Sequence, residues 1–184
     1  MIATEQLIII DNVLENPEQY RANALAQEFK TYDFGHCVFH GIAISVPSAE
    51  VPKAIIDQNP QLTPVLTFLR KSPQDQVEPH YIHTDIDMGE WSAVLYLNPN
   101  PPAGDGTNFW THKETGAIES VIPHERSVEG RNQDNWTLRE HVNAKFNRMV
   151  MFPSSYFHSR AIFDNWGHLD DARLIQVTFG TGAL

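Results

Sequence analysis

The sequence predicts a mainly β fold with flanking helices (α+β), in which a jelly-roll core, a double-stranded β-helix, is braced by N-terminal helices. Short runs rich in β-branched, aromatic and aliphatic residues recur from residue 65 onward, and clusters of Pro, Gly, Asn and Asp separate most of them. Helix signals are concentrated in the first third of the chain. Many short strands separated by turns are typical of sandwiches and barrels.

The first third of the chain is expected to hold a strand and two helices. The apolar run at 7–10 predicts the first strand. A helix is expected from Asn16, a good N-cap that is followed by proline, to about Phe29. Strand-like sequence follows around 37–46, and a second helix is expected over 48–56 with Ser48 as its cap.

The remainder of the chain is expected to form the β core. Strand-like runs occur at 65–70, 80–85, 92–97, 107–111, 148–152 and 173–179. The strongest loop signal is NPNPPAGDG at 98–106. Residues 113–147 are polar and rich in charge, with a helix expected near 136–142, and they are too long for a hairpin turn, so we expect a lid or binding loop there.

No repeat, low-complexity tract or Gly/Ser-rich linker divides the sequence, so one domain is expected over residues 1–184. Within it, residues 1–64 supply the N-terminal strand and the supporting helices. Residues 65–184 supply the jelly-roll catalytic core, which carries the 113–147 segment as an insertion.

Composition limits the partners and the compartment. The formal net charge of −10 argues against binding to phosphate backbones and anionic membranes. No run approaches the ~20 apolar residues that cross a bilayer, and the N-terminus lacks the basic region of a signal peptide. The single cysteine, Cys37, fits a reducing cytoplasm. The sequence leaves the oligomeric state open.

A metal-binding pattern lies at His83-Thr84-Asp85. Side chains at positions i and i+2 of a strand point to the same side, so those of His83 and Asp85 are expected to converge. His158, which follows the strand-like run at 148–152, is a candidate third ligand. Two histidines and one carboxylate leave coordination positions open, as non-haem Fe(II) oxygenases require. The HxD pair alone also fits an ordinary strand, and His80 is a rival ligand.

The run HTDIDMGEWSAVLYLNPNPPAGDGTNFW resembles the 2-oxoglutarate/Fe(II) dioxygenases, particularly their prolyl 4-hydroxylase-like branch. The matching pieces are His83-Thr84-Asp85, Tyr96-Leu97-Asn98 and Gly106-Thr107-Asn108-Phe109. Residues 147–153 precede His158 and residues 171–175 follow it in the family's order, so the resemblance covers about residues 65–180. One departure is the two-glycine turn of the branch, which is here Gly104-Asp105-Gly106.

The resemblance implies a set of site residues. His83, Asp85 and His158 would be the catalytic Fe(II) ligands, and Arg173 would bind the far carboxylate of 2-oxoglutarate. A guanidinium suits that role because it donates two parallel hydrogen bonds to a carboxylate. Arg173 lies fifteen residues beyond His158, farther than the family leads us to expect, and Arg160 is a rival. Other residues expected to contact 2-oxoglutarate are Tyr81, Tyr96 and Thr107.

The implied activity is an oxygenase that hydroxylates a C–H bond of a small molecule, an amino acid or a peptide side chain. Two other classes fit the same sequence features. A cupin-like metalloenzyme would have the barrel and the metal without 2-oxoglutarate, so Arg173 would face solvent. A non-catalytic jelly-roll binding module would have no closed cluster of His83, Asp85 and His158.

Overall fold

The computed structural model describes residues 6–35, 38–78, 81–120 and 128–184. The strands are β1 (Ile8–Asp11), β2 (Lys30–Asp33), β3 (Val38–Ala43), β4 (Thr63–Ser72), β5 (Trp91–Tyr96), β6 (Gly106–His112), β7 (Trp136–Asn143), β8 (Arg148–Pro153), β9 (His158–Arg160) and β10 (Arg173–Thr181). The α-helices are α1 (Pro17–Leu25), α2 (Glu50–Gln58) and α3 (Val128–Arg131), and short 3-10 turns span Gln133–Asn135 and Leu169–Asp171. Among these residues, no helix is long and apolar enough to cross a membrane.

The strands form two antiparallel sheets. The larger has the order β1-β8-β5-β10-β4-β3-β2, and the smaller has the order β7-β6-β9. One apolar cluster, which includes Phe109 of the smaller sheet and Phe152 and Val177 of the larger, lies between the sheets. This β-rich arrangement agrees with the jelly-roll expectation.

The two longer helices cover the outer face of the larger sheet. Tyr20 and Ala24 of α1, and Val51 and Ile55 of α2, are four residues apart, so each pair lies on one face of its helix, and all four are buried. They pack in a second apolar cluster with sheet residues such as Trp91. Since β10 lies between this layer and the smaller sheet, residues 173–180 are buried throughout.

Most expected elements form, with shorter or shifted bounds. The first helix ends at Leu25 rather than near Phe29. The second helix begins at Glu50, and Ser48 accepts a hydrogen bond from the Glu50 amide at 3.3 Å although Ala49 is the N-cap. Cys37, His80 and His36 lie outside the described residues.

Two expectations about local structure are wrong. Residues 136–142, expected as a helix, lie in β7 because they pair with β6 along its length; pairing to a sheet edge outweighs local propensity. The run expected as a strand at 80–85 is irregular where it is described and makes one antiparallel bridge, between His83 and His158. On the other side of this run, the Ile82 amide donates a hydrogen bond to the carbonyl of Gly130 at 3.2 Å. Helix α3, which lies in the 113–147 segment, therefore supports the run.

Candidate metal centre

The structure brings His83, Asp85 and His158 together. One potential ligand atom from each residue lies within 4.8 Å of the others. The Nε2 atom of His83 is 3.5 Å from one oxygen of Asp85, and the Nε2 atom of His158 is 3.1 Å from the other oxygen. The cluster therefore presents two imidazole nitrogens and a carboxylate toward one point.

The backbone explains this convergence. The amide of each histidine donates to the carbonyl of the other, at 3.0 and 2.9 Å, which forms a hydrogen-bonded antiparallel pair. Paired residues project their side chains from the same face, and the two imidazole centroids are 4.4 Å apart. The amide of Asp85 donates to the carbonyl of Ser154 at 2.8 Å and holds the carboxylate beside them.

Second contacts fix which nitrogen of each histidine faces the cluster. The Nδ1 atom of His83 is 2.7 Å from the carbonyl of Tyr81, and that of His158 is 2.9 Å from the carbonyl of Tyr156. A carbonyl oxygen only accepts, so in each neutral imidazole Nδ1 carries the proton. Nε2 is then the lone-pair nitrogen on the side of Asp85, the arrangement that orients metal-ligating histidines in proteins.

The cluster opens into a cavity of about 720 Å³ between the sheets. The site residues expected from the sequence that line it are Tyr81, His83, Asp85, Thr107, His158, Arg160 and Arg173. Tyr96 instead lies behind Thr107, is 2% exposed, and its hydroxyl is 2.6 Å from Thr107 Oγ1. Burial raises the pKa of Tyr96 to about 12, although the Thr107 hydrogen bond opposes this shift.

Three arginines line the cavity, and two carboxylates partner them. Glu78 contacts Arg70 through a salt bridge and lies 3.5 Å from Arg160. Asp105 accepts two long hydrogen bonds, at 3.4 Å each, from Nε of Arg173. Asp85 and Asp87 also line the cavity, and the charge of Asp85 acts on Arg70 as well.

The proximity of these charges and their burial shift the pKa values of Glu78 and Arg160. Burial raises the pKa of the Glu78 carboxyl, but the charges of Arg70 and Arg160 outweigh it and lower the pKa to about 2. Burial, together with the charge of Arg173, lowers the pKa of Arg160 to about 9, although the charge of Glu78 opposes this shift. The arginines and the carboxylates around them therefore lie close enough to shift one another's pKa.

Sequence patterns did not reveal Arg70, Glu78 and Asp105 as site residues. Arg70 is distinguished in sequence only by its place in a strand, and Glu78 lies in a polar segment. Asp105 had one signal, because it replaces part of the expected glycine turn. The carboxylate acts here as the partner of Arg173, across 68 positions of the sequence.

No protein-family model matches the chain, and no curated protein matches its sequence. Solved structures do match. The non-haem α-ketoglutarate-dependent epimerase SnoN from nogalamycin biosynthesis aligns with a TM-score of 0.59 and 11% identity over 95% of this chain and 76% of that one. HygX from Streptomyces hygroscopicus, with nickel, 2-oxoglutarate and hygromycin B bound, aligns with a TM-score of 0.55 and 14% identity over 95% and 82%.

AviO1 from Streptomyces viridochromogenes Tue57 aligns with a TM-score of 0.56 and 12% identity over 97% of this chain and 91% of that one. The chain shares the fold of these proteins. At such identities the likeness is one of fold. Any conclusion about chemistry therefore depends on the residues that this chain places at the cavity.

Proposed function

We propose that the chain is an Fe(II)- and 2-oxoglutarate-dependent oxygenase, with His83, Asp85 and His158 as the metal ligands. The observation that carries the proposal is the convergence of these three side chains at the base of a cavity lined by arginines. The fold shared with α-ketoglutarate-dependent enzymes supports it. From the prolyl 4-hydroxylase-like motifs around the same residues, we also propose that the chain belongs to that branch and has a double-stranded β-helix core.

The donor set fits iron. Two neutral imidazoles and one carboxylate are the ligands of non-haem Fe(II) sites that keep open positions for exogenous ligands. The Nδ1 contacts with the carbonyls of Tyr81 and Tyr156 turn Nε2 of both histidines toward Asp85. A closed structural site would use a full set of protein ligands, and the described residues offer three here.

An anionic co-substrate fits the arginines that line the cavity. Within the described residues, the side-chain hydrogen bonds of Arg173 both come from Nε, so its two terminal nitrogens suit a bidentate carboxylate. Arg160 instead uses a terminal nitrogen to bond Asn165. We therefore assign the far carboxylate of 2-oxoglutarate to Arg173, and Thr107 and Tyr81 line the same space.

The roles of the protein groups follow from these contacts. His83, Asp85 and His158 hold the metal, and Asp85 supplies the one anionic ligand. Arg173 would orient the co-substrate in the cavity between the two sheets. When bound, iron and 2-oxoglutarate would activate O2, which is the oxidant that both 2-oxoglutarate and a substrate C–H bond consume.

We propose hydroxylation as the outcome, since related halogenases lack the carboxylate ligand that Asp85 provides. The solved relatives include an epimerase and a carbocyclase, so this choice is a prediction about the chain itself. We propose a small molecule as the substrate, because HygX has been solved with hygromycin B. The lone Cys37 supports a reducing, cytoplasmic setting.

The test is an anaerobic titration of metal-free protein with Fe(II) and then 2-oxoglutarate, followed by the weak visible charge-transfer band of the chelate. We expect the band in the wild type and in His168→Ala, which removes an exposed histidine that does not line the cavity. We expect no band in His158→Ala. Arg173→Ala should weaken 2-oxoglutarate binding by at least about tenfold, since a charge-assisted hydrogen bond contributes roughly 1.5–3 kcal/mol.

Two other outcomes would replace the proposal. Iron binding without the band in the wild type would indicate the cupin-like enzyme that works without 2-oxoglutarate. Failure of wild-type protein to bind iron would indicate a jelly-roll binding module. A larger loss in Arg160→Ala than in Arg173→Ala would assign the anchor to Arg160.

A further inference from the structure

The inner face of β4 and β10 changes from charged to apolar along its length. Every second side chain of β10 from Arg173 to Phe179 lines the cavity, so the lining face runs about 20 Å at ~3.4 Å per residue. The register places Ile175 beside Arg70, Val177 beside Phe68 and Phe179 beside Leu66. The arginines therefore lie at one end of this lining face, and apolar side chains form its other end.

The hairpin of β2 and β3 adds apolar side chains to this end of the lining face. Phe34 and Phe39 line the cavity and contact each other edge to face, with centroids 6.0 Å apart. Arg70 lies over the Phe39 ring at 5.7 Å, which marks the boundary between the charged and apolar ends. We call the side chains of Phe34, Phe39, Leu66 and Phe68 the apolar wall.

Three of the four exposed side chains that line the cavity are apolar, and the fourth is the carboxylate of Asp87. Phe34 is 59% exposed and Ile44, which also lines the cavity, is 60% exposed. Contiguous exposed apolar side chains at the rim of a cavity commonly mark a binding site. A cavity of about 720 Å³ lies within the ~300–1,000 Å³ typical of sites for small organic ligands.

We infer that the substrate of the proposed oxygenase is a neutral, largely apolar small molecule, which lies against the apolar wall with one carbon directed at the metal cluster. The inference rests on the proposed function and names its substrate class. A free amino acid or peptide would place charged or amide groups against Phe68 and Leu66, at a cost of roughly 1–3 kcal/mol for each polar group left unpaired. A nucleic acid would in addition meet a chain of net charge −10.

The test uses N-phenyl-1-naphthylamine, a neutral aromatic probe whose fluorescence rises in apolar sites, with Fe(II)-loaded protein and 2-oxoglutarate under anaerobic conditions. Leu66 and Val65 are neighbours on β4, and Val65 is 65% exposed and does not line the cavity, so Val65→Glu is the matched control for Leu66→Glu. We expect saturable binding in the wild type, and a dissociation constant at least about tenfold higher in Leu66→Glu. Val65→Glu should stay within about twofold of the wild type, as expected for a change on an exposed face.

Phe34→Ser provides a second variant that leaves the core intact, because Phe34 is largely exposed; its dissociation constant should rise at least about threefold. Equal losses in Leu66→Glu and Val65→Glu, absence of wild-type binding, or displacement of the probe by L-proline would overturn the inference. The chelate band is recorded on the same samples. A band without probe binding refutes only the substrate class, whereas probe binding without a band refutes the proposed function.

Discussion

Glu78→Gln tests the charge balance of the cavity. The substitution keeps the shape of the side chain but removes the negative charge that partners Arg70 and Arg160. The pKa of Glu78 is lowered from 4.5 to about 2, and each pKa unit corresponds to 1.36 kcal/mol, so the charged form contributes about 3 kcal/mol to the free energy of unfolding. Breaking a buried ion pair by removing one partner costs a similar roughly 3–5 kcal/mol.

The sign of the pH dependence follows from the lowered pKa. Protonation of Glu78 is resisted in the folded state, so its contribution is complete above about pH 4.5 and decreases as pH falls toward 2. Urea denaturation of metal-free wild type and Glu78→Gln, followed by tryptophan fluorescence, should give a difference of about 3 kcal/mol at pH 7 that narrows by about 1.4 kcal/mol per pH unit below 4.5.

The control is Glu114→Gln, which changes an exposed glutamate and should alter stability by less than about 0.5 kcal/mol. A difference between wild type and Glu78→Gln below about 1 kcal/mol at pH 7 would refute the ion-pair account. A difference of full size that does not change between pH 7 and 3.5 would show that the loss comes from packing rather than charge.

Three further substitutions test how the frame supports the site. In Gly130→Ala the new Cβ would lie 2.2 Å from the Ile82 carbonyl oxygen, so the segment before the proposed metal ligands must shift. Stability should fall by roughly 1–3 kcal/mol, and iron affinity, measured by titration, should fall with it. Asn147→Ala removes two hydrogen bonds to the backbone of Leu14 at a position with φ of 62°, and urea denaturation should show a loss of roughly 2–4 kcal/mol, smaller in Asn147→Gly. Tyr96→Phe should lower the free energy of unfolding by roughly 1 kcal/mol. It should leave the dissociation constant of 2-oxoglutarate within about twofold, because the tyrosine lies behind the cavity surface. A tenfold rise in that constant would show that Tyr96 does contact 2-oxoglutarate.

The strands that the sequence predicted best are those with two independent signals. The run at 92–97 forms β5, and the run at 173–179 forms β10, each within two residues of its expected bounds. Both runs combine apolar, β-branched residues with flanking turn signals, so local propensity and burial favour the same structure. The convergence of His83 and Asp85 was also anticipated, although the segment is an irregular bridge rather than a strand.

Other features depend on contacts between distant parts of the chain. β9 spans only His158–Arg160 and forms because β6 pairs with it, which no window of sequence reveals. The partners of the arginines are equally remote, since Asp105 and Arg173 are separated by 68 positions. Propensity is local, whereas these elements are stabilised by tertiary pairing, and for that reason the sequence could not predict them.

The central claim is that the metal and Arg173 together create the binding site for 2-oxoglutarate. The most direct measurement is a calorimetric titration of 2-oxoglutarate into protein loaded with Ni(II), which does not react with O2, beside the same titration into metal-free protein. We predict one binding event per chain in the Ni(II) protein and, without metal or in Asp85→Ala, an affinity at least about tenfold lower, since chelation and the carboxylate contact must both be made. Equal affinity with and without metal, or no binding to the Ni(II) protein, would contradict the claim.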